Sequence, residues 1–153
     1  DRPALQEVRR WRESGLVALL LIGASQAGKS FAAAQWLCST TREGLFVSGP
    51  DLDLAVRPDA EGQGLAYLRR CRSAGALVLD EVASKLGTAA LEQIDTLICS
   101  CFDQSRRLII TTNAPSQRHF FDLFGVGDRN RVEARFRSAG CIVEIGPWAG
   151  APC

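Results

Sequence analysis

Two hydrophobic rhythms alternate along this chain. Unbroken, mostly apolar runs occur at 16–22 (LVALLLI), 44–48 (GLFVS), 76–79 (ALVL), 108–112 (LIITT) and 141–145 (CIVEI). Runs of this length, bounded by Gly, Asp or Asn, predict short strands buried within a sheet. Between them apolar residues recur at helical spacing. Leu5, Val8 and Trp11 mark a helix over 4–14 that ends near Gly15. Further helices are predicted over 29–41, 65–73, 88–102, 117–123 and 129–138. The stretch 49–64 is rich in Gly, Pro and Asp and reads as a loop with room for one short helical turn, and the tail after Ile145 reads as irregular. Strands alternating with helices, with no internal repeat, predict an α/β fold: a five-stranded parallel sheet with right-handed crossovers and helices on both faces. Ligands of such sheets bind at the carboxyl ends of the strands.

Composition narrows the picture. A length of 153 residues predicts a single domain over 1–153. Hydrophobic residues at 46% and charged residues at 23% exclude disordered and fibrous classes. The longest apolar run, 16–22, falls far short of the roughly 20 residues a membrane span needs. A net charge of +1 excludes a strong general field for nucleic acid or membranes. Arg106, Arg107, Arg118, Arg129 and Arg137 are candidates for a local basic surface, whose DNA affinity is expected to be weak and to fall steeply with salt. The chain has no Met and begins at Asp1, which predicts a piece of a longer protein. Six cysteines form no Cys-x-x-Cys pair and His119 is the only His, so a zinc site lacks support. Cys38, Cys71, Cys99 and Cys141 sit among apolar neighbours and are expected to be buried thiols in a reducing cytoplasm.

Only two of the 18 basic residues are Lys, and one of them closes the strongest motif. Gly23-Ala24-Ser25-Gln26-Ala27-Gly28-Lys29-Ser30 fits G-x-x-x-x-G-K-[ST] between a buried strand and a helix. Phosphates need many donors in a small space. The two glycines let the backbone wrap so that successive N–H groups point inward, and the helix adds its N-terminal dipole. Lys29 is placed to reach the β- and γ-phosphates of ATP, Ser30 to ligate Mg²⁺, and Phe31 follows at the loop's exit. The second motif, Leu77-Val78-Leu79-Asp80-Glu81, resembles a Walker B element. Asp80 is the second candidate for the Mg²⁺ shell, and Glu81 the candidate that orients and polarises the attacking water. Third, Asn113 ends the strand 108–112 and is the sensor candidate for the γ-phosphate or the water. The fourth is the helix Arg129–Arg137. Val132 and Phe136 share one face, while Arg131 and Arg135 share its neighbour. That stripe reads either as a solvated basic face or as an arginine supplied to another subunit's nucleotide.

The order of phosphate loop, LVLDE, TTN and a late RV-x-x-RF helix resembles AAA+ ATPases of the DnaC/DnaI helicase-loader and IstB transposition-helper group, with the DnaA initiator domain as a relative. The likeness spans nearly the whole chain. It implies the RecA-like core of a P-loop NTPase without a separate lid domain, ATP bound between subunits of a homo-oligomer, and Arg135, then Arg131, as the arginine finger acting in trans. It further implies a replicative helicase or a transposase-like protein as partner. Two features depart from the group. The stretch before Leu16 is too short for a helicase-binding region, and no arginine follows Ile145 to serve as sensor 2, so that arginine is expected either beyond the end of this piece or absent. A small P-loop kinase and an ATP-dependent interaction module with little turnover stay open beside the ATPase reading.

Overall fold

The computed structural model describes residues 3–40, 43–58, 62–83, 85–127 and 130–146. All five strands lie in one parallel sheet: β1 (Ala18–Gly23), β2 (Gly44–Ser48), β3 (Ala76–Asp80), β4 (Arg107–Thr112) and β5 (Gly140–Ile145), in the order β2-β3-β4-β1-β5. The central position of β1 follows from its sequence. Ala18 through Ile22 are at most 2% exposed, and only a strand covered on both faces can bury such a run. Each large apolar side chain buried there contributes roughly 1.5–3 kcal/mol.

Helices cover the two faces unequally. On one side α1 (Pro3–Ser14) and α2 (Lys29–Ser39) pack on Leu19, Leu21, Val78 and Ile109. Trp11 of α1 meets Trp36 of α2 edge to face at 5.3 Å, and Arg107 stacks over Trp11 at 4.0 Å. The other side carries α3 (Gly49–Ala55), α4 (Gln63–Ser73), α5 (Thr88–Asp103), α6 (Gln117–Phe121) with a 3-10 turn at Asp122–Phe124, and α7 (Arg131–Ala139). Their apolar faces close on Leu20, Ile22, Leu77, Leu79, Leu108 and Ile110.

Several expectations need correction. The segment 49–64 is not mainly loop, because 49–55 form a seven-residue helix and α4 starts at Gln63. The Ser48 side chain accepts the Asp51 N–H, Pro50 occupies the first turn and Leu52 is fully buried, which together fix α3. The predicted 117–123 helix tightens into a 3-10 turn after Phe121. Helix α7 starts at Arg131 rather than 129. Its N-cap Asn130 accepts from Glu133 N–H and donates to the carbonyls of Phe121 and Gly125. Cys38 is exposed and Cys141 only partly covered, whereas Cys71, Cys99 and Cys101 are buried; these five are free thiols. The suggested basic surface assembles only in part: Arg118 and Arg137 are exposed and line one cleft against α6 and α7, whereas Arg106 and Arg107 are drawn away from it. Arg106 is 8% exposed, and its guanidinium donates to the carbonyls of Arg72 and Ala74 and to Ser100 Oγ, tying the end of α4 to α5. Arg107 is turned onto Trp11. Arg129, Thr41 and the tail 147–153 lie outside the described residues.

Candidate phosphate site

Residues 23–30 run from the end of β1 into the first turn of α2. Gly28 caps α2 in the left-handed region, with φ 81°. A side chain would strain that conformation, and Gly alone adopts it freely. At Gly23 the constraint is space: a Cβ there would lie 2.5 Å from the Ile145 carbonyl oxygen of β5. The first glycine of the loop is therefore demanded by sheet packing as well as by phosphate access.

Lys29 is 5% exposed, and its ammonium is held inside the loop. Nζ donates to the carbonyls of Gly23 at 2.8 Å and Ala24 at 2.7 Å, and to Asn113 Oδ1 at 2.9 Å. Burial lowers its pKa below the ordinary 10.5, and the nearby Asp80 and Glu81 carboxylates pull it back up. One side chain thus joins three motifs far apart in the chain. Two of them sit at neighbouring strand tips, because β3 pairs with β4 and β4 with β1.

Asp80 is the last residue of β3 and 8% exposed. Its Oδ1 accepts a 2.6 Å hydrogen bond from Thr111 Oγ1. Glu81 is exposed and left-handed, with φ 58°, and its N–H donates to the same Thr111 oxygen at 3.0 Å. Ser25 through Phe31 line a cleft of about 310 Å³ together with Glu81, Thr111 and Asn113. Phe31 is 54% exposed at its rim. Gly23 and Ala24 line an adjoining cleft of about 500 Å³ with Asn113, Pro115 and Glu144. Clefts of similar size against α6–α7 and between α3 and α4 gather no residue of the phosphate loop, the acidic strand end or the sensor position.

Arg131 and Arg135 do not join their own chain's cleft. Arg131 pairs with Asp95 at 2.9 Å and Arg135 with Asp103 at 2.7 Å, both across to α5. Thr111 was not expected at the site. In sequence it stands with Thr112 and Asn113 as a polar trio at the end of a strand, and nothing local says which threonine faces the acids. Its position beside Asp80 appears only once the β3–β4 register pairs Leu79 with Ile110.

The donor set fits a triphosphate and a hard cation. Residues 23–30 offer backbone N–H groups at a helix N-terminus, and the Lys29 ammonium sits among neutral carbonyls that a phosphate can replace. Ser30 and Asp80 carry oxygens of the kind Mg²⁺ takes, and Mg²⁺ needs few from protein because water and phosphate oxygens can complete its shell. Among the described residues no cluster of three His, Cys, Asp or Glu forms a cage for a metal.

Fold and loop together define the class: this is a P-loop NTPase fold, an α/β sheet of five parallel strands. Among solved structures it is similar to a DnaC helicase loader, with a TM-score of 0.72 and 24% identity over 93% of this chain and 88% of that one. It is also similar to the replication initiator DnaA bound to AMPPCP and single-stranded DNA (TM-score 0.66, 20% identity) and to a DNA replication initiation factor (0.66, 19%). Each covers 92% of this chain, which spans only 44% of either of those two. No protein-family model and no curated protein matches the sequence. At these identities the likeness establishes the fold.

Proposed function

We propose that this chain is a Mg²⁺-dependent AAA+ ATPase of the helicase-loader type, acting in DNA replication. One observation carries the reading: Lys29 Nζ is bonded to Asn113 Oδ1 within the electrostatic reach of Asp80 and Glu81, so phosphate loop, acidic strand end and sensor candidate converge on one mouth. The similarity in fold to a helicase loader and to replication initiators supports the replication setting. The chain's partners on this reading are ATP, a replicative helicase, and further copies of itself, with weak DNA contact at most. Free thiols at Cys71, Cys99 and Cys101 suit a reducing cytoplasm, and among the described residues no helix is long and apolar enough to cross a membrane.

The residues divide the work as follows. Backbone N–H groups of 24–30 bind the phosphate oxygens, and Lys29 exchanges the Gly23 and Ala24 carbonyls for the β- and γ-phosphates. Ser30 and Asp80 hold the cation, which when bound neutralises charge on the phosphate oxygens. Glu81 holds the attacking water and draws its proton. Asn113, released by Lys29, turns its amide to the γ-phosphate or the water. Arg135 of a neighbouring copy, with Arg131 as the alternative, meets the charge that develops on the transferred group.

Phosphate release without any added acceptor separates hydrolysis from a kinase reaction. Wild type is expected to release phosphate, and Glu81→Gln to keep nucleotide affinity while losing about 10²-fold or more in turnover. Phosphate appearing on a small-molecule acceptor, or undiminished turnover in Glu81→Gln, would refute the assignment.

A further inference from the structure

We infer that Thr111 is a positioning residue for this chemistry: its one hydroxyl fixes both acids at the end of β3, and thereby sets the cation affinity of Asp80 and the placement of Glu81. The inference rests on the ATPase reading above.

A hydroxyl has one proton to give and lone pairs to receive, and both capacities are used here. Thr111 Oγ1 donates to Asp80 Oδ1 at 2.6 Å and accepts the Glu81 N–H at 3.0 Å. Thr111 is 1% exposed, so water cannot substitute for it at little cost. The first bond restrains the Asp80 carboxylate through Oδ1, and a cation would be met through Oδ2, to which no hydrogen bond is seen among the described residues. The second holds Glu81 in a left-handed conformation that a residue with a side chain rarely adopts. Without an acceptor for that N–H, the Glu81 peptide loses the one side-chain bond that reaches it directly, and the Glu81 side chain loses part of what fixes its origin.

The neighbouring threonine provides the contrast. The Val82 N–H donates to the Thr111 carbonyl at 3.0 Å, and Thr112 Oγ1 donates to the Val82 carbonyl at 2.6 Å while accepting the Ala114 N–H at 3.1 Å. Thr112 therefore clamps the same turn to the same strand tip through backbone groups and touches neither acid. Both threonines staple the turn, but only Thr111 reaches the carboxylate and the Glu81 amide. A purely structural role would make the two equivalent.

The test uses the full chain with Thr111→Val, Thr111→Ser and Thr112→Val. Binding of a fluorescent ATP analogue is followed in EDTA and against rising Mg²⁺, and kcat and KM are measured beside it. Thr111→Val should raise half-saturating Mg²⁺ about 10-fold or more and lower kcat about 10- to 100-fold, the scale on which groups that orient metal ligands act. Affinity in EDTA and KM for ATP should stay near wild type. Thr111→Ser should restore both values, and Thr112→Val should keep the wild-type Mg²⁺ response. If Thr111→Val does not fold, Thr111→Ala takes its place, and the contrast with Thr111→Ser decides. A Mg²⁺ response unchanged in Thr111→Val, equally shifted in Thr112→Val, or unrescued by Ser overturns the inference while leaving the ATPase reading intact. Wild type that shows no Mg²⁺-dependent nucleotide binding overturns both, before any variant is examined.

Discussion

Burial lowers the pKa of Lys29, against the pull of Asp80 and Glu81, and pushes the Cys101 thiol up to about 11 from its ordinary 9.0. The two act on stability with opposite sign. Lys29 holds its proton less tightly in the fold, so its contribution improves as pH climbs through the lowered value towards 10.5. Cys101 is favoured as the neutral thiol. Its contribution is complete below 9.0 and is lost as pH rises from there to about 11, because the unfolded chain ionises first. A denaturation series at pH 8 and pH 11 under reducing conditions isolates the second effect by comparing wild type with Cys101→Ala. The stability gap between the two should narrow by on the order of 2 kcal/mol across that range. A constant gap would show that the thiol does not titrate differently in the fold.

At the scale of elements, α7 raises the question of what its arginines are for. Both are paired within the chain, Arg135 through both of its terminal nitrogens to the carboxylate of Asp103. Asp103 is exposed and Arg135 half-buried, with side-chain exposures of 57% and 34%, and such partly exposed pairs contribute about 0–1 kcal/mol. Giving up Asp103 for a neighbour's phosphate is therefore a small cost against a water-excluded, doubly charged contact. The expected behaviour is phosphate release that rises faster than linearly with protein concentration, and that falls, per wild-type subunit, when Arg135→Ala is mixed in. Activity simply proportional to the wild-type fraction would return Arg135 to a solvated helix face clipped to α5. Elements also show where sequence patterning gives out. The strands are legible because runs such as Leu19 to Ile22 tolerate no other environment. Helix α3 carried its signal openly in Ser48, Pro50 and Asp51, but the Gly, Pro and Asp content of 49–64 masked it.

For the whole molecule, the phosphate loop and acidic strand end are readable from local spacing, since glycines, a lysine and paired acids at fixed positions express their chemistry within a few residues. What joins them is not local. The strand order β2-β3-β4-β1-β5 puts Asp80 at the end of β3 and Asn113 just past the end of β4, the strands that lead across to Lys29, and only long-range pairing decides that order. Thr111 becomes visible through the same register, and Arg106 leaves the surface because two carbonyls of the α4 end need a donor. The account as a whole depends on the loop gripping a triphosphate through Lys29. Calorimetric titration of Mg²⁺-ATP into wild type and Lys29→Ala measures this directly. Saturable binding by wild type, about 10- to 100-fold weaker in an equally well-folded Lys29→Ala, is the predicted result, the loss expected for a charge-assisted contact. Equal affinity in the two proteins, or no binding by wild type, would contradict it.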